Sequence, residues 1–284
     1  MSINVNLIEV FSKEDLYSRL NEILDVQTKN SIVGIRGVRL TEEEQLQLAR
    51  DLGDIAGWFP NNTDKFNHKY IENHSANPSV GASSNNELIL SWHLERVDYD
   101  EYLLLVAGVW NMRLFNCDPE SGKTYFIDSR KVFQKIYNED EKNFLRGCKA
   151  YWTEQTPSGN TRTNYVKIVQ PHWKTEEEQI RVELHHMAAI KLYKINDNDP
   201  TSEEAAAFES LMKRFSQEIA NNEDLRIIHK WKEGDILIPD LFSLAHAVTG
   251  GFDPKDREFT GYWCYTASPS SVGEDNVPPS WRGE

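Results

Sequence analysis

The chain has 284 residues, enough for one large or two small domains and for a sizeable buried core. A hydrophobic content of 39% with eight tryptophans argues for a folded globule, and a formal net charge of −14 disfavours nucleic acid or an anionic membrane as a general partner. Cys117, Cys148 and Cys264 have no metal-ligand spacing and cannot all pair. The first residues also lack a basic region followed by an apolar stretch, and no apolar run is long enough to span a bilayer, so a soluble protein of a reducing cytoplasm is expected, its oligomeric state unknown.

In chain order, Asn4 to Phe11 reads as a strand, and Ser12-x-x-Asp15 then caps a helix with Leu16, Leu20, Ile23 and Leu24 on one face. Ile32 to Arg36 reads as a second strand. Thr41-x-x-Glu44 is a capping box opening a helix that Gly53 ends, and Arg36 and Arg50 suit solvated or structural roles. Residues 57 to 87 are loop-rich, with His68, Tyr70, Asn73 and His74 among Gly, Ser and Asn. Loops held over a rigid scaffold often carry binding groups, although a polar surface loop has the same composition.

Ser91-Trp92-His93-Leu94-Glu95 is the stretch with chemistry in it. Side chains repeat every two residues in an extended chain, so His93 and Glu95 share a face. A third ligand, His246, on a neighbouring strand would complete the two-histidine, one-carboxylate set that holds ferrous iron and leaves positions open for reactants. His-x-Glu alone is common by chance, and its surroundings carry the reading.

Tyr102 to Phe115 is almost wholly apolar, as in a strand buried on both faces; Asp118 to Gly122 is a turn, and Lys123 to Ile127 returns as the hairpin partner. Asp128-Ser129 caps a helix running to about Leu145. Tyr151 to His186 alternates as two or three strands and contains Arg162, Arg181, His185 and His186, which suit structural or solvated roles or could face substrate. The adjacent histidines cannot share a strand face and are poor joint ligands. Thr201-x-x-Glu204 opens a helix whose Phe208, Leu211, Phe215 and Ile219 form a core stripe. Gly234 to Asp240 is a turn and a buried strand that delivers His246 shortly after its end. Arg257, eleven residues after His246, lies in another strand-like run, and its guanidinium suits a bidentate grip on a carboxylate. Residues 268–284, rich in Ser, Pro, Gly and charge, read as an irregular tail.

His93-x-Glu95, Thr124 in Gly122-Lys123-Thr124-Tyr125-Phe126, Asp240 six residues before His246, and Arg257 resemble the taurine dioxygenase and clavaminate synthase group of iron(II)- and 2-oxoglutarate-dependent oxygenases. Ile32 to Gly37, Leu40 to Gln45 and Leu48 to Asp54 resemble that group's opening, so the likeness spans roughly residues 30 to 265. It implies iron(II) on His93, Glu95 and His246, with 2-oxoglutarate and O2 as co-substrates. Arg257, assisted by the Thr124 hydroxyl, would fix the distal carboxylate of 2-oxoglutarate. Oxidative decarboxylation to succinate and CO2 would accompany hydroxylation, desaturation or cyclisation at an unactivated C–H bond. The group uses the segment after residue 57 as one wall of its substrate pocket, which makes His68, Tyr70, Asn73 and His74 candidate substrate contacts. Many strands and few helices suggest a mainly β double-stranded β-helix, or jelly roll, with flanking helices, and 1–284 reads as a single domain.

Two features bear on substrate. Taurine-type members mostly carry Asp where this chain has Glu95, whereas the clavaminate synthase and asparagine oxygenase branch carries Glu, and halogenases of the group lack the carboxylate altogether. Taurine enzymes also place a sulfonate-binding arginine four residues after the co-substrate arginine, where this chain has Gly261. An amino acid or related small polar metabolite, its carboxylate held by Arg162 or Arg181, is the expected substrate. A cupin-like metal-binding protein and a non-catalytic jelly-roll binding module are the alternatives, separable by dependence on metal and 2-oxoglutarate.

Overall fold

Apolar side chains lie on both faces of most strands, and three separate layers of packing account for them. The computed structural model describes residues 3–60, 89–95, 104–114, 120–155, 161–184, 189–252 and 257–266. A five-stranded sheet has the order β1 (Ile3–Asn4), β13 (Arg226–His229), β7 (Thr124–Asp128), β15 (Leu244–Thr249), β5 (Ile89–His93). A six-stranded sheet has the order β2 (Leu7–Glu9), β3 (Ile32–Arg36), β14 (Ile236–Pro239), β6 (Leu105–Leu114), β16 (Arg257–Tyr265), β4 (Phe59–Pro60). Phe126, Ile227 and Leu244 of the first sheet meet Trp110, Met112, Leu237 and Phe259 of the second in one buried cluster, so the two sheets face each other as a double-stranded β-helix.

Alternation then decides what each sheet turns outward. Ile127 and Ala245, the neighbours of Phe126 and Leu244, pack with α4 (Ser129–Ile136), α5 (Glu139–Gly147) and α6 (Ser202–Asn221). That cluster also takes in the three-stranded sheet of β8 (Cys148–Gln155), β9 (Thr161–Lys167) and β12 (Lys191–Ile195), and the pair β10 (Val169–Pro171) and β11 (Glu178–Ile180). On the far side, Val33, Ile35, Val109, Ile236 and Ile238 are covered by α1 (Lys13–Ser18), α2 (Leu20–Asn30) and α3 (Glu42–Ala56). Among the described residues no helix is long and apolar enough to cross a membrane.

The structure corrects several expectations. The strand expected from Asn4 to Phe11 is two, β1 pairing parallel with β13 in one sheet and β2 parallel with β3 in the other, the chain crossing between sheets at buried Val5. Helix 13–30 breaks at Arg19, whose guanidinium donates to the Glu9 carbonyl. Gly53 does not end α3: Gly57, at φ +77°, does, and Gly53 is small because the Trp58 carbonyl lies 2.5 Å from where its Cβ would be. The helix expected to reach Leu145 is two, because Asn138 and Glu141 form a fresh capping box. Above all, β6 and β7 are not a hairpin. β6 pairs with β14 and β16, and β7 with β13 and β15, so the chain between them passes from one sheet to the other. β14 is the buried strand expected before His246, and the chain leaves it, turns, and carries His246 on β15 in the opposite sheet. The irregular tail expected at 268–284 lies outside the described residues.

A buried ionic knot ties the second sheet to β13. Arg36 grips Asp235 through two hydrogen bonds of 2.7 and 2.6 Å, His229 Nε2 lies 3.0 Å from Asp235, and the Lys232 amide donates to it at 2.8 Å. Burial alone would raise the Asp235 carboxyl, but the bonds from Arg36, His229 and Lys232 outweigh it and hold it below its ordinary value. Asp235 has no exposed side-chain surface, so removing it strands a guanidinium and an imidazole. Asp235→Ala is expected to cost about 3–5 kcal/mol, read as a lower urea midpoint with unchanged slope; a loss below about 1 kcal/mol would show that the knot adds no net stability.

Candidate metal centre

The register of β15 assembles the centre. His246 stands opposite His93 of β5 on one side and Phe126 of β7 on the other. His93 is the last residue of β5, and Glu95 follows two positions on, just past the strand end. The His93 and His246 rings lie 4.0 Å apart between centroids, and Glu95 Oε1 is 3.5 Å from His93 Nε2 and 3.6 Å from His246 Nε2. One ligand atom from each lies within 4.8 Å of the others, the only such group among the described residues. The donor set, two imidazole nitrogens and one carboxylate oxygen, is the facial arrangement that suits ferrous iron with positions left open. Trp110, with ring centroid 5.0 Å from that of His246, and Phe126 at 6.0 Å wall the buried side; His93 is the most exposed of the three, which sets the open side of the centre.

Arg257, the first residue of β16, is buried, with one guanidinium nitrogen donating to the Gly122 carbonyl at 3.1 Å and another 3.5 Å from Met112 sulfur. Its guanidinium carbon lies 4.2 Å from the centre of the Phe252 ring. Gly122 has φ +60°, and a Cβ there would fall 2.0 Å from the guanidinium, so a larger residue would be strained and would push Arg257 aside. Thr124, two residues on, lies on the same strand face as Phe126 and accepts a 2.8 Å hydrogen bond from the Trp231 indole. A buried cation and a buried hydroxyl thus flank residues 122–124 on the inward face beside the triad.

Asp240 belongs to the turn that carries the chain from β14 to β15. Its amide donates to Ser31 at 2.7 Å, its carboxylate accepts from the Phe242 amide at 3.1 Å, and His172 Nε2 lies 3.0 Å from its other oxygen. Arg181, for which a structural role and a substrate role both stood open, makes structural contacts. It is buried, donates to the Phe242 carbonyl and, at 3.2 Å, to the Glu95 carbonyl, and stacks on the Phe242 ring at 3.8 Å. It therefore ties the Glu95 segment to the turn before His246. His68, Tyr70, Asn73 and His74, with His185 and His186, lie outside the described residues, as does the Arg162 side chain. Sequence reasoning missed His172 and Trp231, which sit in polar stretches with no periodicity to mark them as buried.

The family model described as "Taurine catabolism dioxygenase TauD, TfdA family" matches residues 3–263. The fold is similar to a taurine dioxygenase from Burkholderia xenovorans, with TM-score 0.61 and 15% identity over 93% of this chain and 89% of that one. It is also similar to a Burkholderia xenovorans protein described as an alpha-ketoglutarate-dependent 2,4-D dioxygenase, with TM-score 0.60 and 12% identity over 93% and 95% of the two chains. AAD-2, in complex with Mn(II) and N-oxalylglycine, gives TM-score 0.60 and 13% identity over 94% and 99%. No curated protein sequence matches the chain.

A thiolate site finds no support in the described cysteines. Burial pushes the Cys148 thiol up to about 12 and the Cys264 thiol higher still, and both are buried. Iodoacetamide at pH 8 is expected to leave Cys148 and Cys264 unlabelled in the native protein and to label both in urea, scored by peptide mass spectrometry. Labelling of either without denaturant would contradict this packing.

Proposed function

The chain belongs to the taurine catabolism dioxygenase TauD, TfdA family, and from that membership we propose residue roles and a substrate class for a 2-oxoglutarate-dependent non-haem iron dioxygenase. His93, Glu95 and His246 hold iron(II); Arg257 and Thr124 hold the distal carboxylate of 2-oxoglutarate. The observation that carries this reading is the convergence within 4.8 Å of three ligand atoms, two from facing positions on adjacent strands and one from just past the end of β5. When bound, iron(II) supplies the activation of O2 that couples decarboxylation of 2-oxoglutarate, giving succinate and CO2, to oxidation of a substrate C–H bond.

The chain's own residues supply placement and environment. Two neutral imidazoles and one carboxylate carry a single negative charge, which offsets half the charge of a divalent cation and leaves it attractive to a second anion. Arg257 offers that anion a fixed fork at its far end, held in orientation by the Gly122 carbonyl and the Phe252 ring. Trp110, Phe126 and Phe259 keep water from the inner side of His246, which strengthens each charge interaction there. Arg181 holds the Glu95 backbone, so the carboxylate ligand does not depend on the strand ladder that ends at His93.

The reaction proposed is hydroxylation of an unactivated C–H bond in a small polar metabolite, an amino acid in the first instance. Glu95 is present as the carboxylate ligand, which favours hydroxylation over halogen transfer. Gly261 lies opposite Trp110 in the β16–β6 ladder and brings no guanidinium to the position where taurine enzymes hold sulfonate. With Arg181 committed to backbone carbonyls, Arg162 is the remaining candidate for a substrate carboxylate.

The test begins anaerobically, with iron(II) and then 2-oxoglutarate added to metal-free protein. The native protein should develop the weak visible charge-transfer absorption of a chelated 2-oxo acid, His246→Ala should not, and Arg257→Ala should need at least about tenfold more 2-oxoglutarate. Absence of the band in the native protein at any concentration would sink the residue assignment. Oxygen-dependent succinate release is then screened over free amino acids and taurine; turnover of a compound without an amino-acid framework, and of no amino acid, would remove the substrate class.

A further inference from the structure

The Thr124 hydroxyl is buried and accepts from the Trp231 indole N–H at 2.8 Å. A hydroxyl carries one donor and two acceptor sites, whereas an indole N–H can only donate. The contact therefore uses an acceptor site and leaves the hydroxyl proton to be given elsewhere. Among the described residues no acceptor takes it. A buried donor without an acceptor is costly, and a carboxylate is the acceptor that recovers most.

Trp231 is itself held rather than loosely lodged. It is buried just beyond β13, its ring is edge-on to His229 at 4.6 Å and 88°, and His229 is fixed by Asp235, which Arg36 grips in turn. A chain of contacts thus runs from the second sheet to a single hydroxyl on the first. We propose that Trp231 is a positioning residue for the co-substrate: by filling an acceptor site of Thr124 it commits that hydroxyl to donate to the distal carboxylate of 2-oxoglutarate. The inference rests on the co-substrate placement proposed above. It assigns Trp231 no contact with substrate or metal, so its effect must be specific to ligands that bear a distal carboxylate.

That specificity is the test. Zn(II)-loaded full-length protein is titrated calorimetrically with 2-oxoglutarate and with 2-oxovalerate, which has the same chain length and 2-oxo acid end but no distal carboxylate. Trp231→Phe keeps an aromatic ring and removes the donor. It is expected to narrow the preference for 2-oxoglutarate over 2-oxovalerate about tenfold while Zn(II) affinity stays native. Thr124→Val should narrow it as much, Thr124→Ser should leave it native, and the double variant should lose no more than Thr124→Val alone. In 15N-labelled native protein the Trp231 indole signal should shift on adding 2-oxoglutarate and not 2-oxovalerate, a readout that survives if Trp231→Phe fails to fold. Trp231→Phe weakening both 2-oxo acids alike, or fully additive effects in the double variant, would overturn the inference while leaving the co-substrate site standing. If Thr124→Val and Arg257→Ala both leave the preference native, the placement of the co-substrate is wrong and the inference falls with it.

Discussion

The pairing of β15 with β5 is the constraint on which the rest depends. Side chains on a strand alternate, so a shift of one residue would turn His246 away from the space between the sheets and replace it with Ala245 or Ala247. The same strand is laddered to β7 on its other edge, where His246 stands opposite Phe126. Two ladders must therefore agree before two imidazoles face each other, and apolar alternation on β7 and β15 makes them agree. The packing that stabilises the fold and the geometry that gathers His93, Glu95 and His246 are the same arrangement.

Polar groups are buried where the chain must turn without a ladder to hold it. The crossing from β14 to β15 is fixed by Asp240, which reaches Ser31, Phe242 and His172, and by Arg181, which reaches Phe242 and Glu95. Such groups are expensive in an apolar core and persist only when hydrogen-bonded. Here they secure the two short segments, 94–95 and 240–243, that bear Glu95 and lead to His246. The Arg36–Asp235–His229 knot does similar work behind Trp231 and Thr124.

Much of this was legible in the chain itself. Capping boxes at Thr41 and Thr201 located helix starts because their chemistry is local. The closeness of His93 and Glu95, the apolar run through β6 and the stripe of α6 were readable for the same reason, although Glu95 lies past the strand end and not on it. What was not legible was which sheet a strand joins. β6 and β7 look like a hairpin because a turn separates two apolar runs, yet the partners of each lie far along the chain. Periodicity records that a strand has a buried face and is silent about what covers it. Trp231 and His172 were invisible for a related reason: their burial is decided by tertiary neighbours, and nothing in Lys230-Trp231-Lys232 signals a core position.

One N-terminal segment supplies an edge strand to each sheet, but β1 pairs only with β13 and β3 pairs with β14, both from the final quarter of the chain. A polypeptide emerging from the ribosome cannot close either sheet until that quarter has been made. The fold is dominated by contacts between distant residues, which places it among slowly folding topologies. His93 waits for His246 through most of synthesis, so the cluster of His93, Glu95 and His246 comes into being only as β15 pairs with β5.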